Sequence, residues 1–402
     1  MMNKYRQAIF EEFEAMMGGH FIPYHIAAFM MAILTTLIFS LIMTHATVFE
    51  GKIAVIDLDA TNYSTSLVES LNTSSYVEIT EVYHTPLPVD KLLEHDRNIG
   101  VLYIPKGLEK AISRSELTFN IGYLADYSNL AQNGQALSNL QKIINEIAAQ
   151  SSGTKIAISQ GLAEDGAKAM LMPMHLVDRD LYNPTMSSTI NICSAFIYFF
   201  SSILLGLTCL MLVGRLKVTN RWQNVLENDV TVLIARLIPY ALIYTTAITL
   251  VTSAIVVFGQ LRFSGNYFFH LPSIFMTAMA IGMMALIFSW TTNQPGEGGS
   301  RMILLVPPGF IMGGALMASG TLPDWVNTVK YCFPLTWEFE IWRDFAYRGI
   351  GLSSMIGTYG KFLMYLTVLG GILYILHYRA VQKNALISQS TKLIEKDMNS
   401  AS

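Results

Sequence analysis

Few side chains in this sequence could do chemistry. Near the C-terminal third, Glu338, Glu340 and Asp344 fall close to Arg343 and Arg348. Convergent carboxylates at a membrane face would suit an enzyme acting on lipid-linked substrates, but with arginines between them they read more simply as interfacial ion pairs. His270 and His377 stand at the ends of apolar blocks, where a solvated imidazole is expected. No group of His, Cys, Asp and Glu has metal-ligand or nucleophile spacing, and Cys193, Cys209 and Cys332 form no disulfide framework. A glycine-rich phosphate loop followed by Lys and Ser or Thr is also missing from the sequence. The expectation is therefore no catalytic, metal or cofactor site on this chain, with any ATP hydrolysis supplied by another.

Two other segments have the character of mechanical parts. Arg215 to Arg236 is basic, carries Trp222, Val225 and Leu226 at helical spacing, and joins two apolar blocks by a short connection. A helix tethered at both ends transmits force. In the fifth apolar block Pro307 and Pro308 are followed by Gly313 and Gly314, so a straight helix is not expected. Backbone groups freed at membrane depth need protein or water partners. Leu322 to Arg348, with Pro323, Trp325 and Pro334, is too polar to span but rich in aromatics, which suits a re-entrant or interfacial segment or an aromatic anchor.

The elements that must hold these parts are set by hydrophobicity. Of 402 residues 52% are hydrophobic and 14% charged, against about a quarter charged in soluble domains. The apolar residues concentrate in six blocks: Ala27 to Met43, Ile190 to Val213, Ile238 to Phe258, Leu271 to Thr291, Met302 to Ala318 and Phe362 to Tyr378. Spanning takes about 20 such residues. The first block follows a leader containing Glu11, Glu12 and Glu14, so it reads as a retained span rather than a cleaved signal. In that leader Tyr5, Ile9, Phe13 and Met16 recur at helical spacing, as in a helix lying in the cytoplasmic interface (residues 1–23) or in an ordinary packed helix. Lys4, Arg6, Arg215, Lys217, Arg221, Arg236, Arg301, Arg379, Lys383, Lys392 and Lys396 all fall on one side if the spans alternate. Both termini are then cytoplasmic, including the tail 381–402. No Asp, Glu, Lys or Arg lies at the centre of any block, which argues against ion-coupled transport.

Residues 46–186, between the first two blocks, carry a net charge of −7 against +4 for the rest, and would lie outside the cytoplasm. Lys52 to Leu58 and Ile99 to Ile104 read as buried strands, Tyr76 to Val82 and Glu116 to Tyr123 as half-exposed ones. Helical spacing in Ser64 to Leu71 and Val89 to Glu94, and a third helix after Pro105 and Gly107, give the order β-α-β-α-β-α-β. A long polar helix follows from about Leu130 to Ile158, with Leu137, Leu140, Ile144 and Ile147 on one face. The fold class expected is an α-helical polytopic membrane protein of six transmembrane helices with an inserted extracytoplasmic α/β domain. Within 187–380 the cytoplasmic coupling loop would be 214–236 and the re-entrant outer segment 319–348.

Local strings sharpen this layout. Leu181-Tyr182-Asn183-Pro184 precedes the second span and Ala235-Arg236-Leu237-Ile238-Pro239-Tyr240 enters the third. Leu322-Pro323-Asp324-Trp325, Phe333-Pro334-Leu335-Thr336, Arg343 and Tyr347-Arg348-Gly349-Ile350-Gly351 come before the sixth. Val55-Ile56-Asp57-Leu58-Asp59 and Gly100-Val101-Leu102-Tyr103-Ile104-Pro105 match strands of the outer domain. In order and spacing the chain resembles type-2 ABC exporter permeases, in the subgroup with a large extracytoplasmic domain between the first two spans. Val218 to Leu226 departs from the pattern by lacking the acidic and Gly-Thr-containing motif of the cytoplasmic loop.

The resemblance implies a homodimer or heterodimer of permeases in a bacterial inner membrane, each docked on an ATP-binding subunit that carries ATP and Mg. A periplasmic adaptor protein is a further possible partner, and the cargo would be an amphipathic molecule such as a drug or lipid. Arg221, Trp222, Val225, Leu226 and Arg236 would then take part in coupling. Pro307, Pro308, Gly313, Gly314, Pro323, Trp325, Pro334 and Arg343 would form the gating, re-entrant part. The alternative is a membrane receptor with an outer ligand-binding domain, which would need a cytoplasmic signalling module; the polar tail after Tyr378 holds none.

Overall fold

The computed structural model describes residues 2–18, 23–42, 51–93, 98–114, 120–125, 137–148, 188–258, 261, 263–315 and 323–401. Leu181 to Pro184, Arg262, Leu322, the start of the expected fourth strand and both ends of the long polar helix lie outside them. The chain divides into two compact units, Met1–Thr44 with Ile190–Ser402, and His45–Thr189.

The second unit is a four-stranded sheet in the order β2-β1-β3-β4, from β1 (Gly51–Asp57), β2 (Val77–Tyr83), β3 (Gly100–Ile104) and β4 (Gly122–Ala125). β1 pairs in parallel with β2 and β3, and β4 is antiparallel to β3. The continuous apolar run of β1 is explained by its central place, covered on both faces. On one face Ile53, Val55 and Leu102 pack against α3 (Asn62–Asn72), α5 (Leu108–Arg114) and α6 (137–148) through Leu67, Leu71, Leu108 and Leu140. On the other, Ala54, Ile56 and Val101 meet Leu92 of α4 (Val89–Leu93). Past β1, the buried Asp57 accepts from the Asp59 and Ala60 amides and the Ser64 hydroxyl. Asp59 in turn accepts from Gly107 N at 2.6 Å and Glu109 N at 3.0 Å. Burial raises the Asp59 pKa, but these N–H donors and Thr61 outweigh it and hold it below the ordinary value. Asp57 thus fixes the turn from β1 into α3, and Asp59 ties that turn to the start of α5.

Among the described residues of the first unit, five helical stretches are long and apolar enough to cross a membrane: Tyr24–Leu41, Cys193–Val218, Val230–Phe258, Tyr267–Ser289 and Leu352–Leu386. The first belongs to α2 (Tyr24–Ile42), which follows α1 (Met2–Met17). The second runs through α7 (Ser188–Leu210) and α8 (Leu212–Val218). After α9 (Trp222–Glu227), the third combines α10 (Val230–Ala235) and α11 (Ile238–Phe258). The fourth is a 3-10 turn at Tyr267–Phe269 plus α12 (Leu271–Ser289), the most enclosed of the five.

The fifth apolar block is no single helix. It is α13 (Met302–Leu305) and α14 (Pro307–Met312), parted at Val306. Pro307 and Pro308 take the first turn of α14, where a missing N–H costs nothing. Downstream come α15 (Asp324–Val329), α16 (Pro334–Ala346) and the 50-residue α17 (Leu352–Ala401), which carries the span and the polar tail in one continuous helix.

Candidate functional site

One end of the bundle is built around Glu12. α1 turns Ala8, Glu12 and Met16 inward and leaves Phe10, Phe13 and Met17 exposed. The expected apolar face of Tyr5, Ile9, Phe13 and Met16 is therefore rotated. The reason is electrostatic: a carboxylate can enter the core only if paired, and Glu12 is. One carboxylate oxygen receives Arg215 and Tyr240 Oη, the latter at 2.9 Å, and the other receives Arg236 at 2.9 Å. Glu11 takes Arg236 at 2.8 Å and lies 3.6 Å from Arg221. Tyr5 adds a hydroxyl contact to Thr231 at 2.8 Å. α1 is thereby pinned across α8, α10 and α11. Beside this knot an open cavity of about 670 Å³ is lined by Glu11, Glu12, Glu14, Arg215, Thr219 and Arg221.

The segment expected to couple is folded against the same end. Trp222 is half-buried, its ring 5.3 Å from Trp290 in an edge contact, with Lys217 Nζ 5.1 Å from its centroid. Lys217 donates to the carbonyls of Trp290 and Thr292, at 3.0 and 2.7 Å, beyond the C-terminus of α12. Val225 is buried and its carbonyl meets His377 Nε2 of α17 at 3.1 Å. Of the expected residues, Trp222 and Val225 thus face inward and Leu226 is half-buried, while Arg221 is exposed beside Gln223, Asn224 and Glu227. Arg236 sits in the Glu12 knot rather than on α9.

α12 spans 19 residues, about 28 Å at helical rise, and leads to a second polar cluster. His270 and Glu338 are both fully buried, with Nε2 and Oε1 3.2 Å apart. Tyr198 Oη lies 2.9 Å from His270 Nε2, and Thr277 donates to Glu338 Oε2 at 2.9 Å. This corrects two expectations. His270 and His377 are buried rather than solvated, and the acidic trio is not one interfacial ion-pair set. Among the described residues Asp344 pairs with Arg348, whereas Glu340 accepts from Tyr331 Oη at 2.7 Å. Helical spacing separates them, since Glu338 shares the inward face with Ile341, Trp342 and Phe345.

Arg343 instead serves the broken block. It donates to the carbonyls of Gly314 at 3.0 Å and Gly313 at 3.4 Å, the acceptors left where α14 stops. Gly313 is buried against Thr336 and Phe339, and Gly314 takes a left-handed φ of 85°. Pro334 starts α16, Pro323 precedes α15, and Trp325 stays exposed. The structure thus brings Pro307, Pro308, Gly313, Gly314, Pro334 and Arg343 into one region, with Pro323 and Trp325 at its margin. Arg343→Ala is expected to lower stability by about 1–3 kcal/mol, the cost of orphaned partly buried acceptors. Melting of the purified protein in detergent checks it, and an unchanged midpoint would show that water replaces the guanidinium.

Glu11 and Glu12 escaped the sequence reading. The available signal was two adjacent carboxylates facing a segment with three arginines.

Long apolar helices, a broken apolar block and paired charges folded into the helix bundle define a multi-pass helical membrane protein. The sequence pattern of the ABC-2 family transporter proteins matches residues 24–379. The chain belongs to that family and is an ABC-2 type permease, a membrane component whose membership implies an ATP-binding ABC subunit as partner. Comparison with curated proteins gave no match.

Proposed function

We propose that the chain is the membrane-spanning subunit of an exporter that moves an amphipathic molecule out of the cytoplasm or inner leaflet, using ATP hydrolysed on the separate subunit. Two permeases, identical or homologous, would form the channel, with both termini cytoplasmic and the α/β unit outside. That unit would offer a surface to an adaptor protein in a two-membrane envelope. The observation that supports this reading is the reach of α12. Its C-terminal end is held by Trp222 and Lys217, and the region at its N-terminal end holds Glu338 of α16. Force applied to α9 by closing ATPases would have a rigid path to the broken block, because packed helices shift as bodies rather than deform.

The exposed side of α9, with Arg221, Gln223, Asn224 and Glu227, is the face available to the ATP-binding subunit. The charged cavity beside it would accept a complementary side chain. Replacing Trp222 and Leu226 with alanine should weaken coupling at least about fivefold in ATP-driven transport by vesicles containing both subunits, with insertion of the permease unchanged. Unaltered transport and substrate-stimulated ATPase would remove α9 from the pathway. Uphill transport by the permease alone, driven by a proton or sodium gradient without nucleotide, would overturn the exporter reading itself.

A further inference from the structure

We propose that His270 and Glu338 form a one-proton latch that holds α16 to the N-terminal end of α12 and releases its proton when the two separate. The cluster is closed to water: His270, Ser273, Thr277 and Glu338 have no exposed surface and Tyr198 has 1%. Phe263, Trp342 and Phe345 surround the imidazole, with ring centroids 5.4 to 6.1 Å away. The groups facing the carboxylate from other elements are phenols: Tyr198 of α7, Tyr244 of α11, Tyr267 before α12 and Tyr359 of α17. Among the described residues His270 is its ion-pair partner.

Hydrogen-bond direction fixes part of the proton inventory. The Ser273 hydroxyl donates to the His270 carbonyl at 2.8 Å, so its oxygen must accept from Nδ1, 3.0 Å away. Nδ1 therefore carries a hydrogen. Nε2 faces Tyr198 Oη and Glu338 Oε1, and Oε1 makes no hydrogen bond of good geometry in this arrangement. A net charge enclosed by aromatic rings is costly. The pair is neutral when it shares one proton, as imidazolium with carboxylate or imidazole with carboxylic acid. That proton belongs to the pair rather than to either residue.

Opening to water ends the mutual stabilisation that keeps the shared proton on the pair. When the opened pair gives that proton to water, Glu338 is a carboxylate and His270 a neutral imidazole with Nδ1–H; closure takes the proton back. Because the closed state then binds one proton more than the opened one, raising pH favours opening, by up to tenfold per unit.

The role of this latch in transport rests on the exporter reading, whereas its proton count is a property of this chain alone. The test is hydrogen–deuterium exchange of the full chain in lipid nanodiscs between pH 6 and 8.5, with rates corrected for intrinsic chemistry. Peptides from 334–346 and 271–280 should lose protection as pH rises across this range, by up to tenfold per pH unit, while α2 peptides stay flat. The H270Q/E338Q double variant, neutral at every pH, should lose the slope. A flat wild type, the same slope in α2, or a slope that survives in the double variant would each overturn the latch. If the double variant does not fold, the wild-type comparison between α16 and α2 decides alone. None of these outcomes depends on whether the chain exports anything.

Discussion

Glu12→Ala will destabilise the permease by about 3–5 kcal/mol, the usual cost of breaking a buried pair by removing one partner. The carboxylate has 1% exposed surface and is approached by Arg215, Arg236 and Tyr240. Without it two buried arginines, Arg215 and Arg236, are left around the vacated space. Arg236 keeps Glu11 as a partner. A second arm replaces both members of one pair. Combining Glu12→Leu with Arg215→Met removes both members of the Glu12–Arg215 pair and should recover much of the lost stability, because apolar side chains of similar volume replace buried ion pairs at little cost. Thermal melting of the purified chain reads both. A Glu12→Ala variant that melts like wild type would show that the knot contributes little and that α1 is held by Ala8 and Met16 instead.

Gly214→Val is the second large effect expected, about 3 kcal/mol. Gly214 in α8 lies so close to the chain at Gln294 and Pro295 that any Cβ would overlap main-chain atoms. A flexible side chain could move aside; a backbone cannot. Gly298, in the 3-10 turn Pro295–Arg301, makes a reciprocal approach to the Leu210 carbonyl. The two glycines let the end of α7 and α8 lie main chain to main chain with this turn, next to the carbonyls that Lys217 grips. The valine variant should therefore melt lower and also loosen the Trp222–Trp290 contact, seen as a change in tryptophan fluorescence. Gly296 and Gly299, with open space around their Cβ positions, serve as controls and should accept alanine with little change.

Much of this molecule was legible before any coordinates. Length and apolarity mark α2, α7, α11, α12 and α17, because a spanning helix needs no partner to be recognised. The continuous apolar run of β1 and the half-polar β2 announce a covered central strand and a more exposed neighbour. Pro307 and Pro308 predict the break between α13 and α14 for a local reason, the absent amide and the ring's bulk. Each of these follows from residues within one turn or one strand of each other.

What tertiary structure alone decided is the fate of the charges. Glu12 looks like one of three acids on the polar side of a leader helix, yet it is buried by arginines more than 200 positions away. Glu338 looks like a neighbour of Arg343, but α16 turns it inward to meet His270 while Arg343 reaches carbonyls of the preceding broken block. A hydrophobic pattern states only whether a side chain prefers water. Burying a charge depends on a complementary group brought close by the rest of the chain, and that distance is written nowhere in the local sequence.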